Sequence, residues 1–240
     1  MSRLAPIPDD FVMPTAATPL IGQAVIDPPV DAATAARVPV HECGDPLVAL
    51  PLDLARTVIY DDLPLPRRTE VLVRRGLVEQ LRAARASLPH GFDLVVLDAW
   101  RSVDFQVALR EYYLAAHGEV GTEYVAAPHD SALRAGHTTG GAVDVTLSWN
   151  GVPLALGTNY DDFTSWAHPA AFESAGSDER VRDCRRLLVY AMTSAGFAPY
   201  PVEWWHWSCG EQWWAVSTGS PRAVYDVVAP ASEPLDDERA

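Results

Sequence analysis

The sequence contains no lysine. All 18 basic residues are arginines, set against 32 acidic ones, and the formal net charge is −14. A chain so short of positive charge repels phosphate backbones, which argues against nucleic acid as a partner and for a small ligand. Cysteine is scarce: Cys43, Cys184 and Cys209 are far apart, odd in number, and form no Cys-x-x-Cys pair. A disulfide framework is therefore not expected, and a reducing compartment is. No apolar run is long enough to span a bilayer, and no apolar signal core follows Arg3. The expectation is a cytoplasmic protein with no membrane partner.

Proline is plentiful but unevenly placed. Pro6, Pro8, Pro14, Pro19, Pro28, Pro29 and Pro39 crowd the first 40 residues. So many missing N–H donors predict an extended, loop-rich lead-in over 1–40, packed on the domain, with room for edge strands. Ala229 to Ala240 is rich in Pro, Ala and acid and reads as a flexible tail. Residues 41–228 are long enough for one substantial core, so a single domain is expected.

Three helices are predicted within it. Val73, Leu77, Leu81, Ala84 and Leu88 recur at helical spacing, with arginines and Glu79 off that stripe. A second helix begins at Ser102, a good N-cap, and stops at Gly118. A third follows Ser177-Asp178, stops at Gly196, and puts Cys184 on its apolar face as a core residue. Between them, Leu94–Leu97, Ala142–Leu147 and Val202–Trp207 read as strands. In the second of these, Val143, Val145 and Leu147 alternate with Asp144, which therefore projects from the opposite face. The irregular order favours an α+β fold with an antiparallel sheet and flanking helices.

The chemistry concentrates in short segments. His137 precedes a strand and is followed by Gly140-Gly141, which allow the chain to turn back and bring His137 beside Asp144. Glu203-Trp204-Trp205-His206-Trp207 surrounds one His and one Glu with three tryptophans, a segment too apolar to sit in water. Two imidazoles, one carboxylate and a second carboxylate three residues before a ligand suit hydrolysis by metal-activated water: three ligands, an open position and a proton shuttle. On a flat strand, however, Glu203 and His206 would face opposite sides, so the chain has to bend there. Arg101 follows Asp98 at a strand-to-helix junction, where it forms either a salt bridge or a cation aimed into a cleft. His41, His90, His117 and His129 have no partners at ligand spacing and read as ordinary histidines, while His168, which follows Asp161, is a candidate only for the border of a site.

These segments, in this order, resemble the VanX-type D-alanyl-D-alanine dipeptidases of the zinc D-Ala-D-Ala metallopeptidase group. That pattern is Ser-x-His-x-x-Gly-x-Ala-x-Asp, then Glu-x-Trp-His, with Asp-Ala-Tyr-Arg upstream. Here it reads Ala135-Gly136-His137-Thr138-Thr139-Gly140-Gly141-Ala142-Val143-Asp144, then Glu203-Trp204-Trp205-His206, with Asp98-Ala99-Trp100-Arg101. Leu156-Gly157-Thr158-Asn159-Tyr160-Asp161 is similar to the group's Met-Gly-x-x-Phe-Asp. The resemblance implies a hedgehog/D-Ala-D-Ala-peptidase-like fold and one zinc ion held by His137, Asp144 and His206. It implies Glu203 as base and acid, Arg101 on the oxyanion and Asp161 on the ammonium of a small dipeptide. The implied reaction is hydrolysis of a D,D-dipeptide into free amino acids. The rival readings are a zinc carboxypeptidase acting on peptidoglycan peptides and a zinc-stabilised binding protein without turnover. One position departs: Ala135 stands where the group has a substrate-contacting Ser, and Thr138 or a backbone N–H is the expected substitute.

Overall fold

A computed structural model describes residues 4–28, 31–57, 60, 63–65, 70–118, 125–127 and 129–230. Of the tail expected from Ala229 onward, residues 231–240 lie outside the described ones. Among the described residues the strands are β1 (Ala5–Pro6), β2 (Leu47–Ala49), β3 (Ala55–Arg56), β4 (Leu72–Arg74), β5 (Phe92–Asp98), β6 (Ala142–Trp149), β7 (Val152–Ala155), β8 (Ala198–Tyr200) and β9 (Glu203–Ser208). The helices are α1 (Ala32–Arg37), α2 (Arg75–Ala86), α3 (Val103–His117), α4 (Gly136–Thr139), α5 (Glu179–Ser194) and α6 (Gln212–Thr218). None of them is long and apolar enough to cross a membrane.

β5 and β6 pair antiparallel at the centre of a seven-stranded sheet. The run Leu94–Leu97 is buried throughout, because both faces of the sheet are covered there. β6 serves two neighbours along its other edge. Its start, Ala142–Asp144, pairs with β9, and its end, Ser148–Trp149, with β7. The antiparallel arrangement expected from sequence describes this centre and the β8–β9 pair. The short outer pairings β1–β7 and β3–β5 are parallel instead. They are made by segments arriving from far along the chain rather than by hairpins, so no tight turn fixes their direction.

The helices follow their local signals. The Ser102 side chain accepts a hydrogen bond from Phe105 N at 3.1 Å, which caps α3, and Asp178 accepts from Arg180 N at 2.9 Å, which caps α5. The apolar stripe of α2 is buried through Leu77, Leu81 and Ala84, but Val73 lies in β4 and Leu88 beyond the helix end. Cys184 is fully buried on α5. From the lead-in, Leu4, Ile7 and Phe11 enter the core, where Phe11 meets Trp149 edge-on at 5.3 Å. Trp205 and Trp207 are fully buried on β9, and burial of each large apolar side chain contributes about 1.5–3 kcal/mol.

One buried cation ties the frame of the site together. Arg74 binds Glu42 through two N–H···O bonds of 3.0 and 2.9 Å, and it donates to the carbonyls of Thr139 at 2.7 Å and Asp226 at 2.8 Å. It thereby joins α4 to segments before and after it in the chain.

Candidate active site

Three polar residues stand abreast on three neighbouring strands. Asp98 of β5 is opposite Asp144 of β6, and Asp144 is opposite His206 of β9. Asp144 projects from the face opposite Val143 and Val145, as its alternation predicts. His137 reaches them from α4. The chain reverses after that helix at Gly140, whose φ is 71°. A Cβ on the next residue, Gly141, would lie 2.5 Å from the Cys209 carbonyl oxygen, so only glycine lets α4 sit this close to β9.

His137, Asp144 and His206 are all buried and converge. His137 Nδ1 lies 2.6 Å from the carbonyl of Ala99. A carbonyl only accepts, so Nδ1 carries the proton and Nε2 presents a lone pair. That Nε2 is 3.1 Å from His206 Nδ1, which is itself 3.1 Å from Asp144 Oδ1. Among the described residues, Asp144 Oδ1 is a buried oxygen with no hydrogen-bond partner. Its other oxygen, Oδ2, accepts from Tyr160 at 2.6 Å and Arg101 at 3.4 Å. Lone pairs that face one another at this distance repel unless a proton or a cation lies between them. Ligand atoms about 2.05 Å from a tetrahedral ion stand about 3.3 Å apart. The donor set, its spacing and the orphaned Oδ1 therefore fit a metal ion such as zinc.

Glu203 joins this group despite its strand position. The pairing of β9 with β8 runs Pro199↔Trp207 and then jumps to Tyr200↔Glu203. This irregularity bulges residues 204–206 and breaks the alternation. Glu203 Oε2 comes to 3.7 Å from His206 Nδ1, so the facing conflict is relieved by the bend that the sequence requires. Burial, reinforced by the charges of Asp144 and Asp161, raises the Glu203 pKa well above the usual carboxylate range. Burial also opposes charge on Asp144, but the adjacent His137 and His206 outweigh it and hold its pKa well below normal. Two carboxyl groups in one site are thus pushed in opposite directions, a pattern that separates a proton carrier from a fixed anion.

Arg101 makes the salt bridge with Asp98 at 2.7 Å, and its Nη2 also reaches Asp144 Oδ2, so the two sequence alternatives coexist. Asp161 is in the same cavity, which holds about 190 Å³ and is lined by Arg101, His137, Asp144, Asp161, Glu203 and His206. A space of this size suits a small substrate. Asp161 has φ 56°, unusual for a residue with a side chain. It accepts from Tyr113 at 2.5 Å and Tyr60 at 3.0 Å. Burial raises its pKa to about 7 against the opposing pull of Tyr113 and Arg101.

The loop that carries Asp161 is pinned at both ends by one side chain. Buried Arg185 of α5 donates to the carbonyls of Leu156 at 2.8 Å, Trp166 at 2.7 Å and His168 at 2.5 Å. On its other side, Trp204 Nε1 donates to Thr158 Oγ1 at 2.8 Å, linking the loop to the strand of Glu203.

Sequence reasoning missed several residues here. Tyr60, Tyr113 and Arg185 carry no spacing signal. Tyr160 does, because it immediately precedes Asp161. Thr138, expected to replace the missing Ser hydroxyl, is fully buried and donates to the Ala135 carbonyl at 2.8 Å. It does not line the cavity, whereas Arg134, beside Ala135, does. His168 lies 3.7 Å from Asp27 and is not among the cavity residues.

Comparison with known proteins adds an independent line. A family model for the D-Ala-D-Ala dipeptidases (peptidase M15) matches residues 55–224. A D-alanyl-D-alanine dipeptidase of Synechocystis sp. is 27% identical over 215 residues, which is 74% of this chain and 87% of that protein. One of Streptomyces coelicolor is 34% identical over 83 residues, 34% of this chain and 40% of its own. A solved LdcB LD-carboxypeptidase aligns with a TM-score of 0.39 and 19% identity over 76% of each chain. With a family match across most of its core, the chain belongs to the D-Ala-D-Ala dipeptidase family of peptidases and is an enzyme of that kind.

Proposed function

We propose that the protein is a zinc-dependent dipeptidase that hydrolyses a D,D-dipeptide such as D-alanyl-D-alanine into free amino acids. The observation that carries this reading is the buried carboxylate of Asp161 in the same small cavity as the His137–Asp144–His206 group. An exopeptidase that takes dipeptides has to recognise a free ammonium next to the scissile bond, and a desolvated carboxylate does so by a charge-assisted bond.

His137, Asp144 and His206 would hold the metal. A zinc ion bound there lowers the pKa of a water to about 7 and polarises the scissile carbonyl. Glu203, with its raised proton affinity, removes the proton of the attacking water and delivers it to the leaving amine. Arg101, held in place by Asp98 and Gln106, faces the oxygen on which negative charge develops. Among the described residues Arg134 also lines the cavity; its Nε pairs with Asp226 at 2.9 Å, and the rest of its guanidinium offers a partner to the substrate's terminal carboxylate where Ala135 has no hydroxyl.

The test is a panel of L,L-, L,D- and D,D-dipeptides, free and N-acetylated, incubated with the zinc-loaded protein and assayed for released amine. Free D,D-dipeptides should be cut, with N-acetylated ones at least about 10-fold poorer, given the energy of a hydrogen bond to a charged group. Equal rates on both would overturn the dipeptidase reading in favour of a carboxypeptidase.

A further inference from the structure

Tyr160 and Asp161 are consecutive, yet both turn into the site, because Asp161 adopts a left-handed backbone conformation. Tyr160 is 3% exposed, and its ring packs on Trp205 at 5.4 Å. Its hydroxyl donates to Asp144 Oδ2 at 2.6 Å and lies 2.9 Å from the hydroxyl of Tyr60, which donates to Asp161 at 3.0 Å. With each hydroxyl giving its single proton to a carboxylate, the link between the two is made by Arg101 Nη2, 3.3 Å from the Tyr60 oxygen and 3.5 Å from that of Tyr160, so one network joins Asp161 to Asp144. Of the two oxygens of Asp144, Oδ2 is held by Tyr160 and Arg101 and also stands 3.3 Å from His137 Nε2, whereas Oδ1, 3.1 Å from His206 Nδ1, has no hydrogen-bond partner among the described residues.

We propose that Tyr160 is a positioning residue. Its hydroxyl engages Asp144 Oδ2, so that Oδ1 is the oxygen whose lone pairs are left uncommitted toward a metal, and the same bond fixes the distance between the Asp161 loop and Asp144. The inference rests on reading His137, Asp144 and His206 as the metal site. Two properties follow. A metal held by His137, Asp144 and His206 would be met by one oxygen of Asp144, leaving room for water and substrate. Selection for a free ammonium and the geometry of the metal depend on one hydroxyl, so losing it disturbs both.

The test uses Tyr160→Phe, which keeps the ring, and Tyr60→Phe as control, which removes a neighbouring hydroxyl that makes no bond to Asp144. Each full-length protein is loaded with Co²⁺, and its visible spectrum and its affinity against a competing chelator are measured. Free and N-acetylated dipeptides are then compared on the zinc forms. For Tyr160→Phe we expect weaker visible bands, reporting an added oxygen ligand, and a metal affinity changed by about 10–100-fold, the usual effect of removing a partner of a metal-ligating group. Discrimination against N-acetylated dipeptides should fall as well. Tyr60→Phe should leave the spectrum unchanged. The proposal is overturned by an unaltered spectrum and affinity in Tyr160→Phe, or by an equal change in both variants. It is also overturned if Tyr160→Phe does not fold, which would assign the hydroxyl to the core. Failure of the wild-type chain to bind Co²⁺ would refute the metal reading instead. Failure to cut dipeptides with a normal Co²⁺ response would refute only the assigned reaction.

Discussion

Substituting Asp161 by Asn should make the protein more stable and less selective. The carboxyl is buried, and its pKa rises from an ordinary 3.8 to about 7 in the folded chain. The folded state therefore binds the proton more tightly than the unfolded one. The sign follows: its stabilising contribution is complete below about pH 4 and is lost as pH rises through about 7. A shift of roughly three units corresponds to about 4 kcal/mol, of which roughly 3 kcal/mol falls between pH 5 and pH 8. Asn keeps the shape and an oxygen to accept from Tyr60 and Tyr113, but does not titrate. Urea unfolding of metal-stripped wild type and Asp161→Asn at pH 5, 6, 7 and 8 reads this group together with its coupling to Glu203, whose pKa it helps to raise. The two stabilities should diverge with rising pH, the variant gaining on the wild type. Meanwhile KM for free dipeptides should rise at least about 10-fold, as expected when a charge-assisted bond is removed. Parallel stability curves would refute the argument that burial governs this carboxyl.

Other substitutions probe the remaining groups. Glu203→Gln should retain zinc and lose roughly 10²–10⁴ in turnover, read by metal analysis and initial rates together. His206→Ala should lose metal and activity in parallel, and stoichiometric zinc in that variant would remove His206 from the ligand set. Gly141→Ala should cost about 1–3 kcal/mol by overpacking against the Cys209 carbonyl. It should weaken metal binding by moving α4, which thermal melts with and without zinc would show.

The convergence of His137, Asp144 and His206 was legible because each segment carries its own signal. An alternating strand carries Asp144, a glycine pair turns His137 back toward it, and the tryptophan-rich segment announces burial of His206. That the chain bends between Glu203 and His206 was legible, but the form of the bend was not, because the bulge in β9 is set by its pairing with β8. Tyr60 and Tyr113 meet Asp161 from 101 and 48 residues away in sequence, so no spacing points to them. The parallel outer strands were missed for the same reason: their partners are distant. Of the two expected substitutes for the Ser hydroxyl, Thr138 is removed on local grounds, since it turns back onto its own helix to satisfy the Ala135 carbonyl.

The arginine at the neck of the Asp161 loop has a consequence for how this enzyme can be altered. Because Arg185 grips backbone carbonyls at both ends, it is indifferent to the side chains in between. Within the stretch from Gly157 to Ser165, Gly157, Thr158, Tyr160 and Asp161 are committed by their own contacts, whereas Thr164 and Ser165 are exposed. Those two positions can be exchanged, by drift or by design, while the anchor points stay registered to the helix that holds them.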